Sequence, residues 1–447
     1  MAMKIPVAPA SLTQLLREIR PETLLQILTL HNSPLLDGRY LHWDALRHRP
    51  VQNGLTVEQL WTALKIARQG QLRALPHLLD KQGRPMQLAL PEPILRQLSQ
   101  VDRFAAGQAS PPEPVITGSD RDRYIFNSLM EESITSSQLE GASTTRIVAE
   151  EMLRAGRQPR DHSEQMIFNN FQAMQWVRQH QQEAIRPELI LELHRVVSEN
   201  TLEDMQDAGR LRRRDDVRVV DHRNQTVLHE PPPASTLAAR LERLCAFANG
   251  EEADTPYVPP VLRAILLHFM MGYDHPFVDG NGRTARALFY WSMLRQGYWL
   301  TEYLSISEII KRAPAQYARA FLYVETDDND TTYFLLHQLE VIGKAMAALS
   351  EHLARKRREL RDAEHLLQHS AALRDRFNHR QLALLTHALK HPGYAYLIAG
   401  HQRSHRVTYA TARADLLDLA AASLLEQGKR GRSFLFRVPE DLRARIS

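Results

Sequence analysis

The chain has 447 residues, 43% of them hydrophobic, which is enough to bury the cores of two or three domains. A net charge of +4 is small for this length and makes no general case for nucleic acid, and the single cysteine, Cys245, excludes an intramolecular disulfide. No apolar run approaches the roughly 18 residues of a membrane span, and the first residues lack a basic segment followed by an apolar one, so the expectation is a soluble, cytoplasmic protein.

Residues 11 to about 100 alternate helical runs with turns. A helical run over 11–30 stops at Asn32-Ser33-Pro34, and Thr56 with Gln59 has the spacing of a capping box that opens another helix. His42 and Trp43 read as packing residues, and no chemistry is legible in this part. Residues 107–114 are a linker by composition. A helix then runs from about Asp120 to Gly141, a natural stop, with Glu140 at its end. With no lysine four residues on, such a glutamate ordinarily belongs to a solvated face.

Two more helices fit 161–182 and 187–200, the second with proline at its first position. Val217-Arg218-Val219-Val220 and Thr226-Val227-Leu228-His229 flank five turn-forming residues and read as a β-hairpin; Pro231-Pro232-Pro233 blocks further pairing. Neither His222 nor His229 has the company of a zinc site. Residues 235–249 form a further helix.

Residues 261–273 are apolar almost throughout, as in a helix buried on most sides, and a second helix begins at Arg283 and breaks near Gly297. Between them lies His275-Pro276-Phe277-Val278-Asp279-Gly280-Asn281-Gly282-Arg283-Thr284-Ala285-Arg286. Two glycines and an asparagine permit positive φ and let main-chain N–H groups converge, and a helix N-terminus behind such a nest binds anions. Arg283 and Arg286 share one face of the first turn, where positive charge is mildly unfavourable unless an anion offsets it. Asp279 is a hard oxygen ligand suited to Mg²⁺ beside phosphate, and His275, neutral near pH 7, is a candidate general base. Together these residues spell nucleotide binding with proton abstraction.

Gln316-Tyr317 lies on a helix ending near Thr326, Asp327-Asp328-Asn329-Asp330 reads as the N-cap region of the next helix, and a long connector runs from Thr332 to about Arg361. Beyond it come a helix at 380–390, another at 407–417 and Gly428-Lys429-Arg430-Gly431-Arg432 followed by a strand, which resembles a winged helix-turn-helix. Arg403, Arg406, Arg413, Lys429, Arg430 and Arg432 could contact DNA phosphates with the helix at Thr408 in a major groove; protein contact or dimerisation suits the same element equally well.

The pattern HPFxDGNGRxxR at 275–286 resembles the signature of the Fic family, whose members transfer AMP from ATP to a hydroxyl side chain of a target protein. That resemblance implies a mainly α fold: a Fic-type helical core with a small β-hairpin flap, a helical N-terminal domain at 1–105, a linker and inhibitory helix at 106–160, the core at 161–330, a connector at 331–370 and the winged helix at 371–447. By position, His275 would activate the target hydroxyl, Asp279 would hold Mg²⁺, Gly280, Asn281 and Gly282 would receive the α- and β-phosphates with Arg283 alongside, and Arg286 would bind the γ-phosphate. Ser136-x-x-x-Glu140-Gly141 matches the family's inhibitory motif, placed before the core as in class II members, so Glu140 would pair with Arg286 and hold ATP in a non-productive pose. Tyr317 would border the nucleotide, and the flap residues Val227, Leu228 and His229 would clamp the target as an added strand. The target carries a Tyr, Thr or Ser hydroxyl and could be the protein itself. Removal of AMP by the same site, or a DNA-binding regulator whose core senses nucleotide, are the alternatives. Nothing in the residues decides between monomer and homodimer.

Overall fold

The computed structural model describes residues 3–51, 54–105, 118–221, 223–250, 256–369, 373, 376–391, 393–430 and 433–446. The linker at 107–114, His222 and Arg432 lie outside the described residues, as does the side chain of Arg430. The fold is mainly α, and the chain divides into two compact units, Met1–Ala347 and Ala348–Ser447.

The first unit opens with α1 (Leu12–Glu18), α2 (Pro21–Leu30), α3 (Trp43–Leu46) and α4 (Val57–Gln69). The Thr56 hydroxyl and the Gln59 side chain cap α4 reciprocally. His42 is buried and stacked on Tyr323, and Trp43 packs on Trp61. Where the sequence reads as helices and turns alone, the structure adds an antiparallel hairpin, β1 (Arg73–Leu79) and β2 (Pro85–Leu88). Its turn is made by Asp80, which accepts from the main chain of Gln82 and Arg84, and by Gly83 at φ 80°. Leu75, Leu78, Met86 and Leu88 are its buried side. Two short strands, one interrupted by Pro76, carry too little periodicity to stand out beside four helices. After them comes α5 (Glu92–Ala105). The N-terminal helices are tied to the rest of the unit by buried charge: Lys65 Nζ lies 2.7 Å from Asp327, and Arg68 donates to Tyr333 Oη and lies 3.8 Å over the Tyr40 ring.

Next come α6 (Gly118–Leu139), α7 (Arg146–Ala155), α8 (His162–Gln179), α9 (Pro187–Ser198), the flap strands β3 (Val219–Asp221) and β4 (Thr226–His229), α10 (Leu237–Asn249), α11 (Pro260–Asp274), α12 (Asn281–Arg295), α13 (Ile306–Arg312), α14 (Pro314–Thr326) and α15 (Thr332–His369). Helices α11 and α12 form the largest helix pair, and both are buried on nearly every side. Helices α6, α8 and α9 pack around α12, while Phe269 of α11 stacks on Phe321 of α14. A helix apolar all round belongs in a core, and this pair fixes the loop between its ends. The flap is antiparallel, pairing Val220 with Val227 and Asp221 with Thr226.

In the second unit α16 (His379–Lys390), α17 (Ile398–His405) and α18 (Tyr409–Ala421) pack with a three-stranded antiparallel sheet ordered β5 (Ala395–Leu397), β7 (Ser433–Arg437), β6 (Glu426–Arg430), and α19 (Leu442–Ile446) follows. Leu385, Leu416, Leu419 and Phe436 are its fully buried centre. This second unit is therefore three helices packed with one small antiparallel sheet, its last two strands, β6 and β7, forming a hairpin. Asp415 holds it together, accepting from Arg380 Nε at 2.8 Å, Asn378 Nδ2 at 2.8 Å and His401 Nε2 at 3.1 Å.

Candidate active site

Helix α11 ends on His275, whose backbone is left-handed at φ 43°, and α12 starts after Gly280, left-handed at φ 80°. Asn281 closes the intervening loop: its Oδ1 accepts from the main-chain N–H of Phe277 at 2.9 Å and its Nδ2 donates to the Phe277 carbonyl at 2.9 Å. Its side chain is therefore committed to loop geometry. Phe277 is wholly buried and stacks at 3.7 Å on His194 of α9. His194 Nδ1 accepts from the Gly209 N–H at 3.0 Å, so Nε2 carries the proton that is donated to the Asp279 carbonyl at 2.8 Å. Burial lowers the pKa of His194 to about 4 and keeps it neutral. A Cβ at position 280 would lie 3.3 Å from that imidazole on a backbone that already disfavours L side chains, so glycine is required there.

His275 Nδ1 lies 3.2 Å from the Gly272 carbonyl. A carbonyl only accepts, so Nδ1 bears the proton and Nε2 keeps its lone pair. Burial also pulls the pKa of His275 below the usual histidine value, which favours this neutral, basic form. Its main chain is held from outside the loop by buried Arg212, which donates from Nε to the His275 carbonyl at 3.0 Å and from its main-chain N–H to the Pro276 carbonyl at 2.9 Å.

Arg283 is fully buried; Nη1 donates to the Val197 carbonyl at 3.1 Å, while Nε and Nη2 have no hydrogen-bond partner among the described residues. The carboxylate of Asp279, 56% exposed, comes no nearer than 3.6 Å. Arg286, three residues on, is fully engaged: Nε donates to Ser136 Oγ at 2.8 Å, and Nη2 donates to the Ser136 carbonyl at 3.0 Å and to Glu140 Oε1 at 2.7 Å. Glu140 follows the end of α6, and its carboxylate covers Gly282, where a Cβ would stand 2.1 Å from Oε1. The Tyr317 hydroxyl hydrogen-bonds His268 Nε2 at 2.8 Å and faces Arg286; burial raises its pKa to about 12.

Arg286, Glu140 and Tyr317 thus stand together at the first turn of α12 over Gly282, with Arg283 beside Asp279 and His275 at the other end of the loop. In the flap, Val227 and Leu228 are half-buried, whereas His229 is buried between Glu325 at 2.8 Å and the Tyr273 carbonyl at 2.7 Å, anchoring the flap to α11 and α14. Three supporting residues escape a reading of the sequence: His194, Arg212 and Glu132. Glu132, on α6, is buried and accepts from Tyr290 Oη at 2.9 Å, Ser305 Oγ at 2.9 Å and Ser307 N at 3.1 Å. Nothing in their local sequence marks them, because each acts through partners far away in the chain.

Residues 184–293 match the Fic/DOC family. Over 180 residues the chain is 32% identical to the protein adenylyltransferase Fic of Drosophila sechellia, covering 39% of this chain and 33% of the relative. It is 29% identical over 209 residues to the protein of the same name from Drosophila mojavensis, covering 45% of this chain and 38% of the relative. The chain therefore spans little more than a third of the length of the curated relatives it matches. Among solved structures it is similar to a Fic family protein from Desulfovibrio desulfuricans G20, with a TM-score of 0.51 and 18% identity over 78% of this chain and 96% of that one, a likeness of fold. The chain thus carries a match to the Fic/DOC family at residues 184–293, on a fold similar to that of a Fic family protein.

Proposed function

We propose that the protein transfers AMP from ATP to a Tyr, Thr or Ser hydroxyl of a target protein, itself included, and that Glu140 restrains the reaction. The observation that carries this reading is Arg283: a fully buried guanidinium with two donors that have no hydrogen-bond partner among the described residues, in the first turn of a helix entered through left-handed Gly280. Phosphate oxygens would satisfy those donors, and buried donors left without a hydrogen bond are otherwise costly. The relatives named protein adenylyltransferase support the same reaction.

In this mechanism the Nε2 lone pair of His275 takes the proton of the target hydroxyl as its oxygen attacks the α-phosphorus. The new O–P bond forms while the bond to the bridging oxygen breaks, and pyrophosphate leaves. The main chain of Gly280, Asn281 and Gly282 and the guanidinium of Arg283 stabilise charge on the phosphates, which is the larger part of catalysis in such transfers. Asp279 fits Mg²⁺, which takes one or two protein carboxylates together with phosphate oxygens and water, and the exposed position of its carboxylate suits that role. When bound, the ion supplies charge neutralisation. A target segment pairing with the flap would bind through main-chain hydrogen bonds with little side-chain selectivity. Arg286 would serve the γ-phosphate once freed from Ser136 and Glu140, which accept the hydrogen bonds of its Nε and Nη2.

The test is mass spectrometry after incubation with ATP and Mg²⁺. The Glu140→Gly protein is expected to acquire an AMP adduct that the parent acquires slowly, and His275→Ala to abolish it. An undiminished adduct in His275→Ala removes the mechanism.

A further inference from the structure

The charge of the chain is unevenly placed. Residues 371–447 hold thirteen Lys and Arg against six Asp and Glu, although the whole chain carries only +4. The acidic groups are largely spent internally. Asp415 is buried against Arg380 and His401, Asp418 accepts from Gln381, and Arg445 pairs with both Asp441 and Glu426. What remains is a basic face. Arg403, Arg406, Arg413 and Lys429 are exposed and form no ion pair with a described residue. They come from α17, the turn after it, α18 and β6. Arg413 and Lys429 are brought to one ridge by Phe434, lying 5.8 Å and 6.0 Å from its ring on separate elements. Between α17 and α18 the turn is three residues, with Arg406 left-handed at φ 52° and Thr408 capping α18. The first turn of α18 therefore projects, with Tyr409 53% exposed and Arg413 one turn further along.

We infer that this face binds double-stranded DNA, with α18 in the major groove and the α17–α18 turn and β6 on the flanking backbones. At about 1.5 Å per residue the 13-residue helix is about 20 Å long, and a groove about 12 Å wide accepts its diameter. Arg403, Arg406 and Lys429 supply phosphate contacts, while Tyr409 and Arg413 meet base edges. Duplex is favoured over single strands because the face offers a helix start and a ridge of cations, with Tyr409 on that helix start in place of a row of aromatic platforms.

Fluorescence anisotropy of the intact protein with a labelled short DNA duplex, its single strand and the equivalent RNA duplex tests this across a salt series. The expected result is preference for duplex DNA, with affinity falling by about 0.9 log units per log unit of salt for each phosphate contact, about 2.7 for three. Arg406→Ala and Lys429→Ala should each reduce that slope by about one contact, and Arg17→Ala, exposed on α1, should not. Two results overturn the inference: no duplex binding at about 50 mM salt by protein with an unchanged thermal melt, or slopes in Arg406→Ala and Lys429→Ala equal to the parent. Tighter binding to RNA or to single strands also overturns it. No nucleotide transfer is measured, so failure here leaves the proposed AMP transfer to its own test.

Discussion

Glu140 and Arg286 form a 2.7 Å ion pair in which the arginine side chain is 2% exposed and the glutamate 30%. The same carboxylate covers Gly282, so one acidic side chain both pairs with a buried cation of the site and fills the space over the first turn of α12.

Charge and bulk can be separated. A charge-assisted hydrogen bond is worth about 1.5–3 kcal/mol, roughly 10- to 100-fold in affinity. On the proposed function, Glu140→Gly should tighten productive ATP binding by that order, and Glu140→Gln, which keeps the bulk, by much less. Calorimetric titration of ATP into both variants measures the difference; equal affinities would show that the charge is not what restrains the site.

The protonation of His275 gives a pH signature. Because burial holds its pKa below about 6.5 and the base must be unprotonated, kcat/KM should rise with pH and level off with an acid-side midpoint under 6.5. The profile is best read in the Glu140→Gly background. A midpoint above 6.5 contradicts the assigned tautomer and environment.

His194 offers a test of a residue outside the loop. His194→Phe preserves a ring to stack on Phe277 but removes both hydrogen bonds, leaving the Gly209 N–H and the Asp279 carbonyl unpaired. The expected cost is about 1–3 kcal/mol per unsatisfied group, read as a lower melting temperature, together with a raised KM for ATP as the Asp279 end of the loop loosens. Unchanged KM alongside lower stability would restrict His194 to a packing role.

In the second unit, Arg380→Ala leaves Asp415 with Asn378 and His401 as its remaining side-chain donors, and hydrogen exchange along a denaturant series should show residues 376–446 opening at lower denaturant than in the parent, with unchanged exchange there showing that Arg380 does not hold the unit.

Much of the site was legible in the sequence because the loop is local: residues 275–286 lie on one short segment, and their spacing alone predicts a nest, a cation pair and an imidazole. Most helices were legible too, through proline starts, the Thr56 capping box and the apolar run before His275. The hairpin at 73–88 and the short elements at 395–405 were not, since three to eight residues carry no resolvable period. Distance in the chain hid the rest. Arg212 reaches the His275 carbonyl from 63 positions away and His194 reaches Asp279 from 85, and such partners become visible only when helices are packed.

On the proposed function, Glu132 bears on how a restraint by Glu140 would be lifted. Its carboxylate is fully enclosed and gathers donors from Tyr290, Ser305 and Ser307, so withdrawing α6 as a rod would strip a dehydrated anion of every ligand at once. Unwinding of the terminal turn alone avoids that penalty, which makes the stretch from Ser137 to Ala142 the hinge and the remainder of the helix its fixed post. Amide exchange that quickens there on adding ATP while staying slow around Glu132 would bear the mark of such a latch, and uniform quickening along the helix would speak against it.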